Sequence, residues 1–171
     1  QLLYKSNPTI FEWCASPIIY FSREEFNWLK ELLPEYFSVK KSLYHYLRMA
    51  ERNYKTYLKF EDVQVKKYLY VLRPLLAAKW IAEKKSAPPV LFEELAEAEL
   101  ENELKAEMEK LLEIKKITPE VGTIPKIQKF HDYIEKTLSE IKEAAETAEE
   151  KTKEWEKLNQ LFLKMISEGR E

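Results

Sequence analysis

The chain has 171 residues, of which 45% are hydrophobic and 34% charged, a balance that suits one domain with a packed core. No apolar run approaches the roughly 20 residues that a membrane-spanning helix needs, so we expect a cytoplasmic protein without a membrane partner. One cysteine and two histidines exclude an intramolecular disulfide and an ordinary zinc site, and we expect no cofactor or metal to be held by this chain alone.

The composition also points to one fold class. Glycine, which tight hairpins need for positive φ angles, occurs only twice, whereas Glu, Lys, Leu and Ala are abundant and favour helix. We therefore predict an all-α fold, an irregular multi-helix bundle with a long C-terminal helix or a helical hairpin.

Apolar spacing and capping residues predict seven helices in chain order. The clearest starts are Asn7, which precedes a proline at the first helical position, and Ser38. Thr9 with Glu12 offers an alternative capping box for the first helix, and Thr118-Pro119 is read as a break late in the chain. The predicted helices run from Asn7 to about Ala15, Ser22 to about Leu33, Ser38 to about Lys59, Asp62 to about Lys85, Phe92 to Glu97, Glu99 to Lys116, and from about Ile127 to the C-terminus.

Charge and aromatic residues divide the chain near residue 85. Residues 1–85 hold 15 basic and 9 acidic residues and 17 of the 22 aromatics, whereas residues 86–171 hold 13 basic and 21 acidic residues. We predict a basic, aromatic, substrate-facing part (1–85) and an acidic part (86–171) that packs on it as one compact unit. Such asymmetry hints at a polyanionic partner for the basic half, but composition alone favours the simpler explanation, two differently solvated helical layers.

The helix that follows Ser38 carries six basic residues on one face. They recur at steps of three and four, the spacing that aligns side chains along one side of a helix. Like charges at this spacing repel, so the face is tolerated more readily if an anion or the acidic half of the chain lies against it. The six are Lys41, His45, Arg48, Arg52, Lys55 and Lys59.

The next helix combines basic and aromatic residues just before a proline. Lys66, Lys67, Tyr70 and Arg73 precede Pro74, and Lys66, Tyr70 and Arg73 share one helical face. Pro74 has no N–H to donate to the carbonyl of Tyr70. We expect a kink there, and a face on which Lys and Arg bind phosphate while Tyr stacks on a base. The alternative is again a basic face neutralised by the acidic half.

The sequence offers no complete catalytic constellation. It has no glycine-rich phosphate loop and no nucleophile elbow, and Glu61-Asp62 is better interpreted as helix capping than as a metal pair. His45 is most simply a member of the basic face, and His131 a boundary residue of the last helix.

Three blocks of residues nevertheless resemble the YcgL-like predicted nucleotidyltransferases of the DNA polymerase beta-like superfamily. The resemblance covers residues 1–115 well and the remainder by helical character only. The blocks are Asn7-Pro8-Thr9-Ile10-Phe11-Glu12-Trp13, then Leu43-Tyr44-His45-Tyr46-Leu47 with Ala50, Asn53 and Tyr54, then Lys67 to Ile81.

The resemblance implies that this chain corresponds to the C-terminal helical region of such an enzyme. The Mg²⁺ and nucleoside triphosphate of the full-length family would be held by an N-terminal catalytic domain whose Gly-Ser motif and paired aspartates do not occur in this chain. It further implies that the helices contact nucleotide or a nucleic-acid acceptor through Lys41, His45, Lys67, Tyr70 and Arg73. The alternative is a non-enzymatic interaction module that docks an acidic partner.

Overall fold

The computed structural model describes residues 1–117, 122–150 and 152–168, and within them the protein is almost entirely helical. The predicted all-α class is therefore confirmed, and the break expected at Thr118-Pro119 lies outside the described residues. The elements are α1 (Pro8–Cys14), α2 (Glu25–Tyr36), α3 (Val39–Tyr57), β1 (Asp62–Gln64), α4 (Val65–Lys84), α5 (Phe92–Glu99), α6 (Asn102–Ile117), β2 (Thr123–Pro125), α7 (Gln128–Thr147) and α8 (Glu156–Glu168).

Two helix starts form as their sequences predict. The side chain of Asn7 accepts a hydrogen bond from the backbone N–H of Thr9 at 3.0 Å, and Pro8 is the first residue of α1. The hydroxyl of Ser38 accepts from the N–H of Lys41 at 3.3 Å and caps α3. Each cap satisfies a backbone donor that a helix N-terminus otherwise leaves unpaired.

The predicted bounds of α2 are wrong at both ends. Ser22 is not a cap, since α2 begins at Glu25 without a side-chain capping hydrogen bond. The helix also continues through Pro34 to Tyr36, whose side chain is buried. A proline in the last turn removes only one helical hydrogen bond, and the burial of Tyr36 against the core offsets that loss.

Asp62 does not cap α4 as predicted but begins β1. This strand pairs antiparallel with β2, so that Asp62, Val63 and Gln64 lie opposite Pro125, Ile124 and Thr123. Val63 is buried, and α4 then begins at Val65 without a side-chain cap. The pairing joins distant parts of the chain, which is why local spacing does not reveal it.

Helix α4 is the centre of the molecule. It packs against α3, α5, α6 and α7, and most of its residues between Val71 and Ile81 are fully buried. Its buried side chains belong to one hydrophobic cluster that extends from Leu3 to Ala145 and so includes both halves of the chain. Helix α3 lies along α4 and keeps its basic face away from this core.

The apolar pattern that begins near Ile127 is divided between two helices. Helix α7 ends at Thr147, and α8 begins at Glu156 and packs against α2. The ring of Trp155, the residue before α8, stacks on that of Tyr4 with centroids 3.9 Å apart and holds the start of α8 near the N-terminal segment. None of the described helices is both long and apolar enough to cross a bilayer.

Candidate functional site

Helix α3 separates an apolar face from a basic one. Leu43, Tyr46, Leu47 and Ala50 are buried against the core, whereas Lys41, His45, Arg48 and Arg52 are exposed. The predicted helical face is thus present, and its cations point away from the packed side of the helix.

A concavity of about 650 Å³ lies along this face, and we call it the basic groove. Two of the five predicted site residues, Lys41 and His45, lie in its wall, and Glu150 closes one end. The lining consists of Lys40, Lys41, Tyr44, His45, Arg48, Met49, Arg52 and Glu150.

Most of the basic side chains on this face form no ion pair with an acidic residue that the structure describes. The Nζ atom of Lys41 lies 2.8 Å from a carboxylate oxygen of Glu150. Among the residues that the structure describes, Arg48, Arg52, Lys55 and Lys59 form no ion pair with Asp or Glu. Among the described residues of the acidic half, Glu150 is the one that forms an ion pair with this face.

Two aromatic contacts fix side chains inside the groove. The guanidinium of Arg48 lies 5.5 Å from the ring centre of Tyr44, and the ring of His45 meets that of Tyr46 edge to face at 5.1 Å. Burial lowers the pKa of His45, and the carboxylate of Glu12 offsets part of this effect. His45 is therefore largely neutral at pH 7, and we expect it to contribute hydrogen bonds rather than charge.

Lys67 and Tyr70 form a separate cluster near the C-terminal end of α3. The Nζ atom of Lys67 lies 3.8 Å from the ring centre of Tyr57 and 4.7 Å from that of Tyr70. The side chain of Tyr70 remains 48% exposed. Tyr70 is therefore accessible to a ligand, whereas Lys67 is half-buried, and neither residue is part of the wall of the basic groove.

Arg73 is engaged within the fold. One guanidinium nitrogen lies 3.6 Å from a carboxylate oxygen of Glu12, and the other donates to the carbonyl of Val90 at 3.2 Å. The hydroxyl of Tyr46 donates to the same oxygen of Glu12 at 2.8 Å. Arg73 thus joins α4 to α1 and to the chain before α5, and its role as a phosphate ligand stays a prediction.

The orphan carbonyl created by Pro74 has a partner that sequence reasoning missed. The side-chain amide of Asn53 donates to the carbonyl oxygen of Tyr70 at 2.8 Å. Asn53 replaces the N–H that proline lacks, and α4 stays continuous from Val65 to Lys84. The sequence indicates which carbonyl needs a donor, because Pro74 identifies it. It does not indicate the donor, because Asn53 lies on another helix.

His131 is buried, which contradicts its interpretation as a boundary residue. Its ring is 7% exposed, with Nδ1 and Nε2 each 3.3 Å from a tyrosine hydroxyl, of Tyr54 and Tyr68 respectively. Burial lowers the pKa of His131, with a further contribution from Lys126. This side chain links α7 to α3 and α4 and is separate from the groove.

The described residues do not fit a magnesium site. No three His, Cys, Asp or Glu side chains within ranges 1–117, 122–150 and 152–168 cluster closely enough to hold a metal ion.

The family model described as RlaP, RNA repair pathway DNA polymerase beta family, matches residues 1–164, and the chain belongs to this family. The match extends well beyond residue 115, where the resemblance in the sequence was expected to weaken. The uncharacterized protein YcgL of Bacillus subtilis (strain 168) is 43% identical over 173 residues, which cover 98% of this chain and 66% of that protein. The chain thus spans slightly less than two thirds of this relative. No solved structure matches the chain significantly.

Proposed function

We propose that this chain is the helical substrate-binding part of a polymerase-beta-like nucleotidyltransferase, and that its basic groove binds the phosphates of a nucleic-acid acceptor or nucleotide. The observation that carries the proposal is the row of basic side chains on α3, in which Arg48 and Arg52 line the groove and form no ion pair with a described acidic residue. A helix face of like charges is unfavourable in isolation and is stabilised by an anion. The matching family is described as acting in an RNA repair pathway, so single-stranded RNA is the first ligand to test.

The catalytic chemistry belongs, in this proposal, to a part of the protein outside this chain. The carboxylates that hold Mg²⁺ and nucleoside triphosphate would lie in that part, facing the substrate-binding side of this C-terminal helical region. The whole enzyme would be cytoplasmic. The unmatched third of the YcgL relative is long enough to include further structure. Lys67 and Tyr70 would form a second contact with the same ligand, because Tyr70 is exposed and Lys67 places its charge against the Tyr70 ring.

The test is RNA binding by an Arg48→Gln, Arg52→Gln double variant, measured by fluorescence anisotropy with a ten-nucleotide single strand. Removing two phosphate contacts should weaken binding by at least about ten-fold at low salt and reduce the slope of log K against log salt by about 1.4. Helicity should not change, since both side chains are exposed.

The matched control removes two exposed lysines of the acidic half, Lys115→Gln with Lys142→Gln. It makes the same change in net charge away from the groove, and we expect an affinity close to that of the unmodified chain. Equal losses in both double variants, or binding by the unmodified chain that does not respond to salt, would contradict the proposed site.

A second candidate function is a protein-interaction module, and one surface favours it. Ile18, Ile19, Tyr20 and Phe21 are consecutive and between 64% and 97% exposed. An exposed apolar run of this kind is typical of protein contacts. RNA binding that is absent, together with salt-dependent binding of an acidic protein partner, would favour this function over the first.

A further inference from the structure

The basic groove contains one acidic side chain among its described lining residues, Glu150. It belongs to the connection between α7 and α8, far along the chain from α3. Its carboxylate lies 2.8 Å from Nζ of Lys41, at the end of the row formed by Lys41, His45, Arg48 and Arg52. A carboxylate in this place occupies the position where Lys41 would contact a phosphate oxygen.

The residues that follow Glu150 and lead into α8 contact the rest of the fold. The hydroxyl of Tyr36 donates to the carbonyl of Glu154 at 2.7 Å, and Nζ of Lys153 donates to the carbonyl of Tyr36 at 2.5 Å. The ring of Trp155, the next residue, stacks on that of Tyr4. These contacts hold the chain against the fold a few positions after Glu150.

The charges around Glu150 favour its ionised form. Lys41 lowers the pKa of the Glu150 carboxyl through a hydrogen bond and its charge, and Lys40 and Lys153 lower it further. The ion pair itself is half exposed, with 48% and 52% of the two side chains accessible to solvent. Such a pair is weak, so a ligand with several charges can displace it.

We propose that Glu150 is a specificity-determining residue that competes with the ligand for Lys41 and so selects polyanions over isolated phosphates. The inference rests on the proposed function of the groove. A strand that also contacts Arg48 and Arg52 gains several contacts while displacing one carboxylate. A single phosphate gains one contact and meets the same opposing charge.

The experiment compares Glu150→Gln with Glu149→Gln, using a ten-nucleotide single-stranded RNA and inorganic phosphate as probes. Glu149 is exposed and adjacent, and no described residue forms an ion pair with it, so its variant makes the same change in net charge. For Glu150→Gln we expect RNA affinity to rise about three- to ten-fold at low salt, with a smaller gain at high salt. We expect inorganic phosphate at millimolar concentration to compete with RNA for Glu150→Gln but not for the unmodified chain.

Two further variants separate the local contact from general charge. Glu150→Asp keeps the charge but shortens the side chain, and we expect a gain smaller than that of Glu150→Gln. In a Lys41→Gln background, Glu150→Gln should lose most of its effect, because the released lysine is no longer present.

The outcomes distinguish this inference from the proposed function. Salt-dependent RNA binding by the unmodified chain, with equal effects of Glu150→Gln and Glu149→Gln, overturns the role of Glu150 and leaves the groove as the binding site. RNA binding by neither the unmodified chain nor Glu150→Gln overturns both. A gain specific to Glu150→Gln supports both.

Discussion

Glu99, the last residue of α5, has a carboxyl group inside the protein. Its side chain is 2% exposed, and neither carboxylate oxygen has a hydrogen-bond partner among the described residues. Its backbone carbonyl is satisfied, since Nζ of Lys79 and the hydroxyl of Tyr133 both donate to it. Burial raises the pKa of the Glu99 carboxyl, the carboxylate of Glu83 raises it further, and Lys79 partly opposes both.

We predict that Glu99→Gln stabilises the protein at neutral pH. A carboxyl whose pKa is raised on folding contributes stability below its ordinary pKa and loses it as pH rises through the folded value. The amide has no charge to desolvate, so the free energy of unfolding should increase by about 1 kcal/mol at pH 7 and be unchanged at pH 4. Urea unfolding at pH 4 and pH 7 measures the change in the free energy of unfolding at each pH, and Glu94→Gln, at an exposed position of α5, is the control. Equal effects at pH 4 and pH 7 would contradict the assignment.

At the scale of elements, α4 shows how a helix can contain a proline and remain continuous. Pro74 leaves the carbonyl of Tyr70 without its helical donor, and Asn53 of α3 supplies one from the side. This hydrogen bond joins α3 to α4 and pairs a carbonyl that α4 alone leaves without a donor. The sequence predicts the missing bond but not its replacement, because Asn53 reaches Tyr70 only after α3 packs on α4.

We predict that Asn53→Ala lowers the free energy of unfolding by about 0.5–1.5 kcal/mol, the usual net contribution of one hydrogen bond, because water can partly replace the amide at this exposed carbonyl. Thermal or urea unfolding measures the loss, and Asn27→Ala, an exposed asparagine of α2, should change stability by much less.

A double-mutant cycle with Pro74→Ala tests the mechanism directly. Alanine restores the backbone N–H, so Asn53→Ala should cost less in that background than in the unmodified chain. The same loss in both backgrounds would mean that Asn53 stabilises the protein in another way.

At the scale of the whole molecule, one chain of hydrogen bonds joins three helices around His131. The N–H of Ile127 donates to the hydroxyl of Tyr68 at 2.7 Å, and the hydroxyl of Tyr54 donates to Glu135 at 2.7 Å. Because Tyr54 uses its proton on Glu135, its oxygen accepts from Nδ1 of His131, and Nε2 then accepts from Tyr68. Every donor meets an acceptor only if the imidazole is neutral.

We predict that protonation of His131 destabilises the fold in mild acid. A base whose pKa is lowered on folding contributes stability above its ordinary pKa of 6.5 and loses it as pH falls through the folded value. With His45→Gln as background, His131 is the chain's single imidazole. In that background the free energy of unfolding should fall from pH 7 to pH 5. Adding His131→Gln should make this fall smaller. It should also lower the free energy of unfolding at pH 7 by about 1–2 kcal/mol, because hydrogen bonds of the imidazole are lost. An unchanged pH profile after His131→Gln would contradict the role of the imidazole.

The ion pairs of the whole molecule show how the charge asymmetry between the two halves appears on its surface. Many basic side chains of the acidic half find partners within that half, as in Lys110 with Glu107, Lys116 with Glu113 and Lys136 with Glu101. Of the basic face of α3, Lys41 is the member paired with a described acidic residue. The asymmetry in composition thus remains an asymmetry of the surface, and the division near residue 85 stays a prediction about function.

The sequence by itself determined the helical class, the starts of α1 and α3 and the basic face of α3. Each depends on residues within a few positions of one another, where spacing and capping act locally. Only the tertiary structure decided that β1 pairs with β2, that Asn53 serves Tyr70, that His131 is buried and that Glu150 enters the basic groove. These features join distant segments, and their contacts exist only when the helices have packed.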